Sequence, residues 1–279
     1  MTSKTNRFAG IAATALAAAL LATPALADGM RRGSLKDTPK PEARKCTLSA
    51  NVALTTEYVF RGISQTAEEP AIQGGFDATC GMFYAGVWAS NLDFGSVAGE
   101  TVAHIEIDWV AGLKGTVGKL NWDVGVIYYS YPGASNAVPD LDYIELKLGL
   151  SGEVWKDGTA GVTVFYSPDY TGETGRTWTV EGSFTQALPK MGMFSPSFSA
   201  LIGYQVNEGT AAYIAAIGNG DDNYLYWNVG LTFGFLEKWS LDFRYWDTNL
   251  SSNPGGSAFC NGPILQCDER FVATLKFTY

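Results

Sequence analysis

From Cys46 to Tyr279 the sequence alternates apolar and polar side chains with a period of two, segment after segment. That is the period of a β-strand, in which successive side chains point to opposite faces. The stretch 104–111 carries it most plainly: Ile105, Ile107, Trp109 and Ala111 interleave with His104, Glu106 and Asp108. Charges at every second position cannot face hydrocarbon, where each costs roughly 2–4 kcal/mol at a bilayer midplane. Such a strand must therefore divide two media, one aqueous and one apolar. The apolar medium is lipid in a membrane barrel and a dry core in a soluble sandwich.

Twelve segments read this way, an even number as a closed single-chain barrel requires. In the first, Val52, Leu54, Tyr58 and Phe60 take the apolar side, and Asn51, Thr55, Glu57 and Arg61 the polar side. The second sets Ile72, Phe76 and Ala78 against Gln73, Asp77 and Thr79. The third sets Phe83, Ala85, Val87 and Ala89 against Tyr84, Gly86, Trp88 and Ser90, and its faces could be exchanged because both carry apolar groups. Further on, Val124 neighbours Asp123, Leu146 and Leu148 flank Lys147 beside Glu145, Val180 precedes Glu181, and Leu241 and Phe243 alternate with Asp242 and Arg244. Aromatic residues cluster at the ends of the apolar sets, as in Trp122 with Tyr128 and Phe271 with Tyr279. Those are girdle positions between headgroup and hydrocarbon. A soluble sandwich would instead gather its aromatics mid-strand.

The remaining features agree with export to an outer membrane. Lys4 and Arg7 precede an apolar run to Leu21 and the small-residue end Ala25-Leu26-Ala27, so residues 1–27 read as a cleaved signal peptide. Residues 28–45 are polar, bear prolines and read as a flexible periplasmic tail, which leaves 46–279 as the barrel. With 13% aromatic residues, 32 glycines and a mean hydropathy near zero, the chain is too polar for a helical membrane protein. Removing Lys4 and Arg7 from the 19 basic residues leaves 17 against 28 acidic ones, a balance that argues against a nucleic-acid partner. Short connections are predicted near Gly81, Thr116, Lys156, Lys190 and Leu236. The longest outer connections run from Val206 to Asp222 and from Asn249 to Asp268. Cys46 and Cys80 are equidistant from the first hairpin near Ile63 and would latch its open end, while Cys260 and Cys267 would close a small ring in the last loop. Zinc is a poor rival because no C-x-x-C occurs and His104 is the only histidine.

The sequence TTEYVFRGISQTAEEPAIQGGFDA at 55–78 resembles the TorF-like family of Gram-negative outer-membrane porins. Similarity continues through YAGVWASNLDFG (84–95), EIDWVAGLKG (106–115), DVGVIYYSYPG (123–133) and DYIELKLG (142–149), roughly the first half of the exported chain. The resemblance implies a porin-like barrel in the cell outer membrane and transfers no catalytic residue. The terminal Tyr279 also resembles the aromatic signature by which such barrels are handed to the assembly machinery.

Function then rests on the polar face. Glu57, Asp77, Glu106, Asp108, Asp123, Glu145, Glu181 and Asp242 stand against Arg61, Lys147, Arg244, Arg270 and Lys276 as a lumen set, with His104 beside them. The acidic surplus favours cations. The same charges could equally pair off and plug a narrow lumen that Trp88, Tyr129, Tyr143 and Trp246 partly occupy. Arg61 and Gln65 of the RGISQ motif could reach into the mouth as a filter or stabilise a turn. His104, Glu106 and Asp108 share one face about 7 Å apart, but no nucleophile motif accompanies them, so an enzyme is not expected. Two readings remain: a passive channel for small solutes, without cofactor, and a non-conducting barrel that works through its outer loops. Oligomeric state is not legible.

Overall fold

In a computed structural model, residues 46–217, 221–250, 260 and 267–279 are described; the expected signal peptide (1–27), the expected tail (28–45) and most of the last long connection lie outside them. The chain forms one closed antiparallel barrel of twelve strands. They are β1 (Cys46–Thr55), β2 (Ala71–Cys80), β3 (Phe83–Asn91), β4 (Ile105–Val117), β5 (Leu120–Ser130), β6 (Tyr143–Trp155), β7 (Gly158–Ser167), β8 (Thr177–Ala187), β9 (Ser195–Asn207), β10 (Asn223–Phe235), β11 (Trp239–Thr248) and β12 (Arg270–Thr278). Each strand pairs with its sequence neighbours, and β12 closes onto β1 with Asn51 opposite Thr278 and Thr55 opposite Thr274. A seven-residue helix, α1 (Ala211–Ile217), sits in the loop between β9 and β10. Among the described residues no helix is long and apolar enough to cross a membrane.

The connections sort by end. At the turn end, β4 passes to β5 through Gly118 and Lys119, and β6 to β7 through Lys156 and Asp157. Gly118 and Asp157 take the positive φ that two-residue turns need. The longer connections all lie at the other, loop end. Both predicted cysteine pairs are disulfides. Cys46 and Cys80 face each other across the β1–β2 ladder, their Cα atoms 4.3 Å apart, so the bridge ties the two strands at the turn end.

The alternation assigns faces correctly along the barrel strands. Leu54 and Ile72 are cross-strand partners, each 58% exposed on the outside, and Leu146, Leu148, Val124 and Ile202 join the same apolar exterior. The ambiguous β3 resolves with Val87 outward beside Trp109, and Trp88 inward beside Asp108. An exterior of this extent is incompatible with water. Strands of 9–13 residues match a tilted bilayer crossing. Ring pairs mark both rims of the belt, with Tyr166–Trp178 and Trp227–Tyr245 towards the loop end and Phe235–Trp239 and Trp239–Phe277 towards the turn end.

One segment departs from the expected pattern. Tyr58 and Phe60 do not face outward: β1 ends at Thr55, and the loop from 56 to 70 folds into the barrel. Val59–Phe60 pairs with Ile63–Ser64 as a miniature hairpin whose tip, Arg61-Gly62, has positive φ at both residues. Tyr58 is buried edge-on against Trp88, and Phe60 edge-on against Tyr129. The tight turn reverses the chain before the alternation can continue, and the barrel interior offers these rings a dry surface that lipid-facing positions would only duplicate.

The two faces make a direct test. Leu148→Arg is expected to destabilise the barrel by roughly 2–4 kcal/mol in denaturant titrations in lipid vesicles. Thr163→Arg, on an inward position between Gly149 and Glu181, should cost much less. Equal losses would overturn the assignment.

Candidate functional site

The site is the barrel interior, and its two halves are built differently. In the loop-end half the inward hairpin is clamped by its own tip. The Arg61 guanidinium donates two parallel hydrogen bonds to Glu145, both 2.8 Å, and a third to Gln205 Oε1 at 3.0 Å. Both side chains of the ion pair are almost fully buried. Its flanks lie over the Phe60 and Phe165 rings, 4.8 and 5.0 Å from their centroids. Such a fork is the strong form of ion pair and the form best able to offset desolvation. Gly62 makes the approach possible, because a Cβ there would lie 2.4 Å from Thr248 Cγ2.

A shell of phenols completes the plug. Tyr129 donates to Glu145 at 3.0 Å, Tyr224 to the Arg61 carbonyl at 3.2 Å, and Tyr226 to Glu181 at 2.6 Å. Tyr129 stacks on Tyr143 with centroids 4.2 Å apart, and Tyr170 meets Tyr143 edge-on. Gln205 is held by the Thr179 hydroxyl and donates to Tyr213 from α1. Burial pushes the loop hydroxyls of Tyr170 and Tyr213 above the ordinary phenol range, so they stay neutral. A second arginine, Arg270, pairs with Glu57 at the base of the loop.

The turn-end half is more open and polar. Lys147 pairs with Asp123 at 2.7 Å, and Tyr84 donates to the same carboxylate at 2.7 Å. These two ionic side chains keep 24% and 30% exposure, so solvent reaches them. Tyr84 lies flat against the wall over Gly112 and Gly125, where any Cβ would be 2.5 Å from its ring or hydroxyl. Lys114 stands 5.2 Å over that ring. Across the lumen, Arg244 is held by Asp242, by Asn228 and by Ser199. Asp77 faces Lys276 and Lys114.

A closed twelve-stranded barrel with charges inside and an apolar belt outside is the frame in which likeness to known proteins can be judged. The family model for bacterial proteins of unknown function called Gcw_chp matches residues 40–279. The chain belongs to the Gcw_chp family. No curated protein matches it. Among solved structures this Gcw_chp protein is similar to the NanC porin, at 11% identity and a TM-score of 0.51, over 83% of its own length and 98% of that chain. It is similar also to the KdgM porin, at 8% identity and a TM-score of 0.50, over 83% and 99% of the two chains. At such identities the likeness establishes the porin-like barrel fold.

Of the twelve residues expected in the lumen, eleven have inward-facing places in this Gcw_chp barrel or on its inserted loop. Glu57 and Arg61 sit on the loop, and Asp77, Glu106, Asp108, Asp123, Glu145, Lys147, Glu181, Asp242 and Arg244 on the inner wall. His104 is the exception. It is exposed in the bend before β4 begins, its carbonyl accepting from Leu92 N, because the ladder starts one residue later than the alternation does. His104 therefore does not share a face with Glu106 and Asp108. Sequence reasoning also passed over Lys114, Gln205, Tyr224 and Tyr226. All four occupy inward alternate positions of their strands, so the periodicity itself held the signal.

The Tyr226–Glu181 contact depends on an absent side chain. A Cβ at Gly203 would lie 2.1 Å from the Tyr226 ring. Gly203→Val is expected to destabilise by about 1–3 kcal/mol, and Tyr226→Ser in the same chain should recover part of that loss. A double variant no better than the valine variant would show that the two sites are not coupled.

Proposed function

We propose that the chain is an outer-membrane porin, a passive channel for small solutes, constricted by its own first loop. The observation that carries this reading is the asymmetric interior: a solvent-reached, charge-lined half at the turn end and a narrow half at the loop end, closed down by the Arg61 hairpin. The porin-like fold supports it, as does the TorF-like resemblance in the first half. Short turns at one end and long loops at the other support placing both termini in the periplasm, and the aromatic residues of β12 support delivery by the assembly machinery.

Selectivity follows from charge. With Lys114 added to the lumen set read from the sequence, that set holds eight carboxylates against six basic side chains. Four of each are matched as Arg61–Glu145, Lys147–Asp123, Arg244–Asp242 and Arg270–Glu57. The surplus is acidic, which favours cations.

The tightness of the plug favours a second reading, a barrel that does not conduct. Planar-bilayer recording separates the two. The channel reading expects small discrete steps with a cation-biased reversal potential, and larger steps from Arg61→Ala or Glu145→Ala, whose hairpins have lost the clamp. Silence from the wild-type and both variants, each shown folded by heat-modifiable gel migration, would leave the non-conducting barrel.

A further inference from the structure

The charges of the chain are sorted along the barrel axis. The six loop-end connections hold 14 acidic side chains against two arginines, Arg61 and Arg176. The five turn-end connections hold four lysines against two acids. The inner wall repeats the gradient. In its loop half, Glu106, Asp108 and Glu181 stand beside the two arginine–glutamate pairs that fix the hairpin. In its turn half, Lys114 and Lys276 face the one carboxylate of Asp77, while Lys147–Asp123 and Arg244–Asp242 balance and Glu153 lies exposed at the rim. The narrow part of the lumen, closed down by Arg61, therefore coincides with the acidic end, and the solvent-reached part with the weakly basic one.

Fixed charge at a narrow mouth sets which mobile ion is enriched there, and a surface lined by one sign reaches potentials of several kT. The acidic loop end admits cations and holds anions back; the turn end, with its small basic surplus, admits anions. When the loop side is made positive, cations are driven in through the loop end and anions through the turn end. The anions cannot leave past the acidic mouth, so salt accumulates inside and conductance rises. Reversed voltage draws both ions out, and the acidic mouth keeps new anions from replacing those that left, so the interior is depleted. We infer that the barrel rectifies, carrying more current when its loop side is positive. The inference rests on the channel reading and adds a direction to it. No bound ligand is needed, because the cause is the sorting of charge along the axis.

Single barrels in a planar bilayer supply the test, in the wild type and in Arg61→Ala. A biotin on the segment ahead of Cys46, reached by streptavidin from one chamber only, reports which way each barrel faces. In ~0.1 M potassium chloride the current with the loop side positive should exceed that at the reverse voltage by roughly two-fold. At ~1 M, where the screening length falls from about 10 Å to about 3 Å, the two currents should become nearly equal. Glu69, Glu173 and Glu269 are exposed on three different loop-end connections. The triple variant Glu69→Lys, Glu173→Lys, Glu269→Lys should abolish or invert the asymmetry, and Lys114→Gln should reduce it by less. Folding of every variant is checked by heat-modifiable migration. Equal currents from a conducting wild type overturn the inference and leave the channel standing, as does a larger current at the opposite voltage. An asymmetry unmoved by salt and by the triple variant would trace it to the shape of the hairpin and overturn the inference as well. Silence from folded wild type and Arg61→Ala removes the channel and the rectification together.

Discussion

Closure of β12 onto β1 is the contact on which the rest of the molecule depends. In a bilayer no water is present to satisfy backbone amides and carbonyls, so an open sheet edge is excluded and a β-structure must join its first strand to its last. Here the seam runs from Ala50 and Tyr279, which exchange both backbone hydrogen bonds, to Thr56, whose amide reaches Ala273. Once it is shut, every strand has two partners, and each side chain is committed to lipid or lumen. The Cys46–Cys80 bridge holds β1 to β2 at the turn end of the same region.

Closure also creates an interior that has to be filled or wetted, and the chain does both. Towards the turn end, the inner wall has glycines at Gly112 and Gly125, leaving room for Tyr84 to lie flat and for Lys147 and Asp123 to remain in contact with solvent. Towards the loop end, large side chains and the inserted hairpin pack the lumen, and the polar groups there are drawn into pairs because low dielectric penalises any left alone. The Arg61 fork illustrates the balance: its desolvation is offset by Glu145, Gln205 and two aromatic faces together, not by any one of them.

The loop from 56 to 70 links these halves. It begins at the β1 seam, carries Glu57 to Arg270 on β12, delivers Tyr58 to the acidic pair on β4, and presses Arg61 against β6 and β9. A single segment thus touches opposite sides of the barrel. Its position decides both how much of the lumen is filled and the surroundings of Glu106 and Asp108.

The period-two pattern by itself determined the twelve strands, the face of nearly every side chain on them, and the two cysteine pairings, because those follow from local backbone geometry and from distance along the chain. It could not determine where the chain would leave the sheet. Tyr58 and Phe60 continue the outward rhythm of Val52 and Leu54, and only a turn at Arg61-Gly62 with an interior ready to receive aromatic rings sends them inward. Nor could it pair Arg61 with Glu145 or Gln205, which lie 84 and 144 residues away. Which charges meet inside a barrel is settled by its curvature and by the inserted loop. Both belong to the closed sheet as a whole and to no stretch of sequence taken alone.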